Sequence, residues 1–302
     1  MKKILITGAN SYVGTSFEKW MKQFDNYQID TLDMLDANWR ERDFSPYDVV
    51  FHVAGLAHAD ITSVSKEIQD KYYHVNCDLA IETAQKAKRD GVKQFIFMSS
   101  MSIYGDSARV GKIKAISKTT KAVPSNFYGD SKLKAEKGIL ELRDETFQVV
   151  IIRPPMVYGY GSKGNFPTLE KLAATMPIFP TVKNQRSMIF VNNLCEFVHL
   201  CVERRCDGIY YPQNEEYVCT AEMVRQIARE SQKKIWLTGI FNWGIYLLSV
   251  VPGKVGKYTN KAFGSLIYEF DLSSKDIDIK EYQTVDFAQS IRLAKNGEQA
   301  TK

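Results

Sequence analysis

The chain has 302 residues, 44 % hydrophobic and 25 % charged, a balance that suits a folded globular protein with one large domain or two unequal ones. Its net charge of +5, from 40 basic and 35 acidic residues, is too small and too dispersed to indicate a nucleic-acid partner, and it fits an anionic small substrate or loose attraction to an anionic membrane surface. Five cysteines without a Cys-x-x-Cys, four histidines without ligand spacing and an N-terminal apolar run too short for an export signal argue for reduced thiols, no metal and a cytoplasmic location.

In chain order, Lys3 to Ile6 reads as a short strand and Tyr12 to Phe24 as a helix. Tyr27 to Leu32 is a second strand ending at Asp33, and Val49 to Val53 a third. Lys71 to Asp90 has a helical pattern with Gly91 as its stop, and Gln94–Met98 and Gln148–Ile152 are further strands. Continuous β-branched runs alternating with helices predict an α/β fold, a doubly wound parallel sheet of Rossmann type covered on both faces. The texture changes after Arg153-Pro154-Pro155, with Gly, Pro, Ser and Lys clustered from Gly159 to Pro167. The expected division is therefore a dinucleotide-binding domain over 1–160, with chain returning around 186–205, and a smaller mixed α/β substrate domain over 161–302. Ile235 to Val251 is almost wholly apolar and, at 17 residues, at the short limit for a spanning helix. Two readings are open for it: a buried or half-exposed helix of the smaller domain, which is the expectation, and a membrane-surface patch.

The chemistry sits in three places. Thr7-Gly8-Ala9-Asn10-Ser11-Tyr12-Val13-Gly14 follows a strand and opens a helix, the arrangement that brings backbone close to a pyrophosphate at a helix N-terminus. Gly8 and Gly14 keep the outer positions of the glycine pattern, and Ser11 takes the middle one. Asp33, nineteen residues beyond Gly14, can accept hydrogen bonds from an adenosine ribose and repels the 2′-phosphate of NADP, so NAD is expected. Ser99 and Ser100 end the fourth strand, at the edge of a parallel sheet that faces the ligand crevice. Either hydroxyl can hold a substrate hydroxyl for deprotonation. Tyr128 and Lys132 lie four apart, on one face of a helix. An ammonium beside a phenol favours the phenolate, so Tyr128 is expected to exchange protons below its free pKa of about 10. With a dinucleotide to carry hydride, the set reads as an enzyme that oxidises and reduces a carbinol carbon.

These motifs resemble those of the extended short-chain dehydrogenase/reductases of the UDP-glucose 4-epimerase type, within the NAD-dependent epimerase/dehydratase family. The resemblance is carried by TGANSYVG, Asp33, Phe51 to Gly55 (FHVAG), His74 to Asn76 (HVN), Ser99 to Gly105 (SSMSIYG), Tyr128 to Lys132 (YGDSK) and Arg153 to Gly159 (RPPMVYG), and runs from residue 1 to about 200. It implies Ser100 as the catalytic serine, Tyr128 as general acid/base, and Lys132 holding both the tyrosine and the nicotinamide ribose. It implies further that Gly8, Asn10, Ser11, Tyr12, Val13, Gly14, Val53, Ala54, Gly55, Asn76, Ser99 and Pro155 lie along the cofactor. Arg186 is implied to clamp a substrate diphosphate, and Asn165 and Phe166 to sit in a substrate loop.

The chain departs from the family pattern at Ser11, and at Ala57, where galactose epimerases place a lysine. Met101-Ser102 replaces the Asp-Glu pair of the sugar 4,6-dehydratases, and the last third lacks the arginine-plus-acid element that grips the nucleotide. The implied activity is C4 epimerisation of a nucleotide-diphosphate sugar in bacterial surface-polysaccharide synthesis. A 4-keto-6-deoxy-sugar reductase using NAD(P)H, and epimerisation of a polyprenyl-diphosphate-linked sugar, are the alternatives. Relatives often pair through two helices, which here gives a homodimer through the segments near 76–88 and 132–142.

Overall fold

A computed structural model describes residues 1–57, 65–274 and 276–297. Its strands are β1 (Lys2–Thr7), β2 (Tyr27–Leu32), β3 (Val49–His52), β4 (Gln94–Met98), β5 (Ile113–Ile116), β6 (Gln148–Ile152), β7 (Met156–Tyr158), β8 (Ile178–Pro180), β9 (Met188–Phe190), β10 (Gly208–Tyr210), β11 (Trp236–Thr238) and β12 (Ser265–Tyr268). The main helices are α1 (Tyr12–Met21), α2 (Lys66–Tyr73), α3 (Leu79–Arg89), α4 (Phe127–Leu140), α5 (Asn165–Thr175), α6 (Val191–Glu203), α7 (Thr220–Glu230), α8 (Asn242–Leu248) and α9 (Lys254–Phe263). The chain forms two compact units, one of residues 1–105, 121–154 and 194–212, the other of 106–120, 155–193 and 213–302. Segment 106–120 thus groups with the second unit, because β5 pairs in parallel with β12, a partner about 150 residues away that local pattern cannot reveal.

The first unit is built on a six-stranded, all-parallel sheet in the order β10-β6-β4-β3-β1-β2. The cores of β1, β3, β4 and β6 are fully buried, as expected of strands covered on both faces. Each large aliphatic side chain so buried contributes about 1.5–3 kcal/mol. From β1 the chain steps outward to β2 and then crosses back to β3 on the other side of β1. That reversal opens a crevice at the carboxyl ends of β1 and β3, where an open α/β sheet takes its ligand.

The helical stretch expected over Lys71 to Asp90 is longer, and it is interrupted. α2 and α3 are joined by a π-helical turn, His74–Asp78, a local widening often found at functional sites. Lysines and Arg89 in the last turn of α3 complement the helix dipole, and Gly91, at φ +85°, ends it.

The second unit contains three parallel strand pairs, β5·β12, β7·β9 and β8·β11, with α7 packed between α5 and the helix Phe287–Asn296. Tyr158 lies at its centre and hydrogen-bonds Ser290 and Asn214. The apolar run 235–251 is neither buried nor a single helix. It forms β11 and the short α8, and most of its large side chains are exposed, which corrects the sequence-based expectation. Among the described residues no helix is long and apolar enough to cross a membrane.

Candidate active site

The glycine turn is built tightly. Gly8 has φ +116°, and a Cβ there would stand 2.5 Å from the Ala54 backbone nitrogen, so a side chain fits neither the conformation nor the space. The amides of Gly8 and Ala9 donate to the Leu32 carbonyl, and those of Val53 and Ala54 to Thr7. These bonds tie the turn after β1 to the ends of β2 and β3 and bring Asp33 beside it. Asp33 is exposed, and one of its carboxylate oxygens accepts from the Leu35 amide at 2.9 Å.

Ser11 has a definite role in place of the missing glycine. It caps α1, with its Oγ accepting from the Gly14 amide at 3.1 Å. The first turn that follows, Tyr12-Val13-Gly14-Thr15, contains no acid, so the positive end of the helix dipole is not offset by a side chain. Asn10, exposed at φ 65°, shapes the turn without burying its amide.

Asn76 lies in the π-helical turn, which directs its side chain inward. Its Oδ1 accepts from the Leu56 amide at 2.7 Å, and its Nδ2 donates to the Leu56 carbonyl at 3.0 Å and to Ser131 Oγ at 3.3 Å. Asn76 thereby fixes the loop after β3 against α4. Gly55 passes so close that a Cβ there would lie 3.1 Å from Asn76 Oδ1 and 3.2 Å from Lys132 Nζ. A tight glycine turn, an acid-free helix start, an acid at the end of β2 and a backbone groove along 53–55 together fit a dinucleotide.

α4 brings Tyr128 and Lys132 to the end of β4. Asn126 caps the helix, accepting from the Gly129 amide at 3.0 Å. A Cβ at Gly129 would stand 2.5 Å from the Ser102 carbonyl oxygen, so the glycine lets α4 press against the turn that carries Ser100. Ser100 is extended at the head of the short helical turn Met101–Tyr104. It accepts from the Ser102 amide at 3.1 Å and donates to Ser102 Oγ at 3.0 Å. Its hydroxyl is near enough to the Tyr128 phenol to favour the ionised form of that ring.

The electrostatics differ from the sequence-based expectation. The Tyr128 pKa is raised, not lowered: burial disfavours the phenolate, and the Ser100 hydroxyl offsets this only in part. Lys132 does not counter it, because its ammonium donates to the Met98 carbonyl at 2.9 Å and sits over the Phe97 ring. Burial in turn lowers Lys132 to about 8, against a smaller raising effect of Glu136. His52, wholly buried beneath, is lowered to about 3 by burial and by the Lys132 charge, so it is neutral where its Nδ1 meets Thr7 Oγ1 at 2.9 Å.

One charged network has no counterpart in the sequence-based residue set. Glu136, 1 % exposed, and Arg153, 8 % exposed, form a buried ion pair with Nη2 to Oε2 at 2.6 Å. Ser99 Oγ donates to the same Glu136 carboxylate, and Arg153 Nη1 donates to the hydroxyls of Tyr104 at 2.8 Å and Tyr211 at 3.0 Å. Burial alone lowers the Arg153 pKa, but the hydrogen bond and charge of Glu136 outweigh it and raise the guanidinium overall. Its signal in the sequence was spacing: Glu136 follows Lys132 by four residues on one helical face, and Arg153 directly ends an apolar strand.

The remaining candidates belong to the second unit. Pro155 opens the second segment of that unit and is buried. Asn165 is exposed in the first turn of α5, whereas Phe166 is 2 % exposed and packs its ring against Tyr158, a core position within its own unit. Arg186 is bridged through its backbone to Val218 and Leu266, its guanidinium donates to the Lys261 carbonyl, and burial lowers its pKa. Among the described residues no carboxylate pairs with it.

Residues 4–211 match the model of the NAD dependent epimerase/dehydratase family. A UDP-glucose 4-epimerase of Vibrio cholerae is 29 % identical to the chain, with 94 % of this chain and 92 % of that protein aligned. An N-acetyl-alpha-D-glucosaminyl-diphospho-ditrans,octacis-undecaprenol 4-epimerase of Escherichia coli O157:H7 is 25 % identical, over 77 % of this chain and 73 % of the relative. Among solved structures, a UDP-glucuronic acid 4-epimerase from Bacillus cereus in complex with NAD superposes with a TM-score of 0.71 at 16 % identity, over 96 % of each chain. A dTDP-4-dehydrorhamnose reductase from Clostridium acetobutylicum gives 0.68 at 18 %, over 97 % of this chain and 98 % of that one. At that identity the superpositions establish the α/β fold alone.

Proposed function

The chain belongs to the NAD dependent epimerase/dehydratase family, and from that premise we propose that it epimerises C4 of a sugar carried on a nucleotide diphosphate, in surface-polysaccharide synthesis. The observation that carries this reading is the convergence of Ser100, Tyr128 and Lys132 on the carboxyl end of β4, in the same unit as a glycine turn fit for a dinucleotide. The relatives from V. cholerae and E. coli, both named as 4-epimerases, support it.

In this reading NAD lies along Gly8 to Gly14, with Asp33 at the adenosine ribose and residues 53–55, Asn76, Ser99 and Lys132 farther along. When bound, it supplies the hydride acceptor and donor for C4. The protein handles the proton and the orientation. Tyr128 Oη exchanges the O4 proton, and Ser100 Oγ, close to that phenol, holds the O4 oxygen in line. Removing the O4 proton requires Tyr128 as the phenolate; burial works against that form, and the Lys132 ammonium, four residues on, is the cation available to hold it once the phenolic proton has left to solvent, after which the phenol returns the O4 proton on the way back. Arg186, whose guanidinium meets the Lys261 carbonyl but no carboxylate among the described residues, suits a substrate diphosphate. The reaction consumes no net reductant, and the location proposed for it is the cytoplasm expected from the sequence.

A 4-ketoreductase would use the same three residues, but Asp33 favours NAD over NADP and with it the epimerase. The exposed apolar stretch 236–258 favours a second carrier, a polyprenyl diphosphate, as in the name of the E. coli relative. The test is to incubate the purified protein with UDP-hexoses and no added reductant. Interconversion of a C4 pair supports the reading, and strict dependence on stoichiometric NAD(P)H refutes it.

A further inference from the structure

We propose that the surface formed by residues 236–258 docks the protein onto an anionic phospholipid bilayer. Of the twenty exposed large apolar side chains among the described residues, eleven fall in this one segment. Trp236 is 75 % exposed, Ile240 72 % and Trp243 69 %, and Phe241, Leu247 and Val250 continue the patch. A contiguous apolar surface of this kind marks an interaction site.

The segment holds these side chains outward on a fixed frame. No side chain of α8 is fully buried, and the turn into α9 is so close that a Cβ on Gly256 would overlap the Val251 carbonyl oxygen at 2.2 Å. Asn260 Nδ2 donates to the Ser249 carbonyl at 3.0 Å, and its Oδ1 accepts from the Val110 amide at 2.9 Å. The apolar face is therefore part of the folded unit.

Charge selects the occupant. Between Glu230 and Glu269 the chain has no acid and five lysines, Lys233, Lys234, Lys254, Lys257 and Lys261. The second unit as a whole carries 20 Lys and Arg against 13 Asp and Glu, a net +7, whereas the first carries 20 against 22, a net −2. The positive charge of the protein thus resides in the unit that bears the patch. Beside Trp236 a shallow depression is lined by Arg225, Arg229, Lys233 and Lys234, a site for headgroup phosphates next to an aromatic ring suited to the membrane interface. Arg225 is already paired with Glu222, Lys257 lies 3.8 Å from Asp106 and Lys233 donates to the Ala174 carbonyl, whereas Lys234 and Lys254 are exposed and serve as the test positions for contact with lipid. Apolar and basic surface together describe a segment lying in the plane of an anionic interface. A second copy of the chain is the poorer occupant, since two such faces would set lysine against lysine.

The full chain is tested by flotation with vesicles of phosphatidylglycerol and phosphatidylcholine in equal parts, and with phosphatidylcholine alone. The wild type is expected to float with the mixed vesicles only, with release by salt and a blue shift of tryptophan emission from Trp236 and Trp243. Trp243→Glu/Leu247→Glu and Lys234→Glu/Lys254→Glu, each with unchanged melting and NAD content, should each bind at least about tenfold more weakly. Absence of flotation, equal binding to neutral vesicles, or variants that bind like the wild type overturns the proposal. So does sedimentation showing a dimer that Trp243→Glu dissociates while no protein floats. The assay contains no sugar substrate, so its outcome is separate from that of the epimerase reading.

Discussion

Replacing Glu136 with glutamine keeps the shape of the side chain and removes the charge opposite Arg153. The guanidinium then stays buried, at 8 % exposure, with no anion beside it. Loss of one partner from such a pair costs about 3–5 kcal/mol, because the remaining charge has neither water nor a counterion. Removing both charges, in Glu136→Gln/Arg153→Met, abolishes that penalty and takes away only the two hydrogen bonds from Arg153 to the Tyr104 and Tyr211 hydroxyls, at about 1–3 kcal/mol. The double variant is therefore expected to be more stable than Glu136→Gln alone, and the cycle to be strongly non-additive, with a coupling of at least about 3 kcal/mol. Urea unfolding reads this in a Trp236→Phe/Trp243→Phe background, where the remaining Trp20 and Trp39 both report on the first unit. Because Ser99 loses its carboxylate partner next to Ser100, turnover should fall along with stability. A Glu136→Gln variant within about 1 kcal/mol of wild type, or strictly additive effects, refutes the reasoning.

Lys132, titrating at about 8 in the folded protein, is charged below that pH and neutral above it. kcat/KM is therefore expected to decline as pH rises through 8, and in Lys132→Arg, which stays charged, the residual activity should not; the same decline in both contradicts the assignment. The folded pKa lies below the unfolded 10.5, so the unfolded chain binds more protons between these values, and this group makes the wild type more stable as pH rises from 8 towards 10.5. Gly8→Ala must hold an alanine at φ +116° with its Cβ against Ala54, so a loss of at least about 2 kcal/mol in thermal unfolding is expected, and a loss below about 0.5 kcal/mol refutes the reading of the turn. Asp33→Ser removes the carboxylate that repels a 2′-phosphate; calorimetry should show the NAD-to-NADP affinity ratio falling by at least about tenfold, and an unchanged ratio refutes its role.

The sheet of the first unit could be read from sequence because its central strands are buried on both faces and appear as unbroken apolar runs; β4 and β6 begin and end where those runs do, whereas β2, YQIDTL at the edge of the sheet, is only partly buried and carries polar residues. Ser100, Tyr128 and Lys132 were legible because their spacing reflects one helix and one strand end. What could not be read was the consequence of burial. The four-residue spacing places Lys132 on the face of Tyr128, but does not reveal the Met98 carbonyl that accepts its hydrogen bond, so the direction of the tyrosine shift was reversed. The Glu136–Arg153 pair joins α4 to the end of β6, a contact only the fold creates. For 235–251 the apolar composition suggested a core, whereas the adjacent lysines and the missing acids were the signal of a surface.

The most direct measurement is the turnover of Tyr128→Phe loaded with NAD, on whichever C4 pair of sugar nucleotides the wild type interconverts. The ring stays in place and only the hydroxyl is lost, so NAD affinity should be unchanged while kcat falls by about 10²–10⁴, the usual contribution of a positioned acid/base. Turnover within about tenfold of wild type at equal NAD occupancy would contradict the assignment of the O4 proton to this phenol.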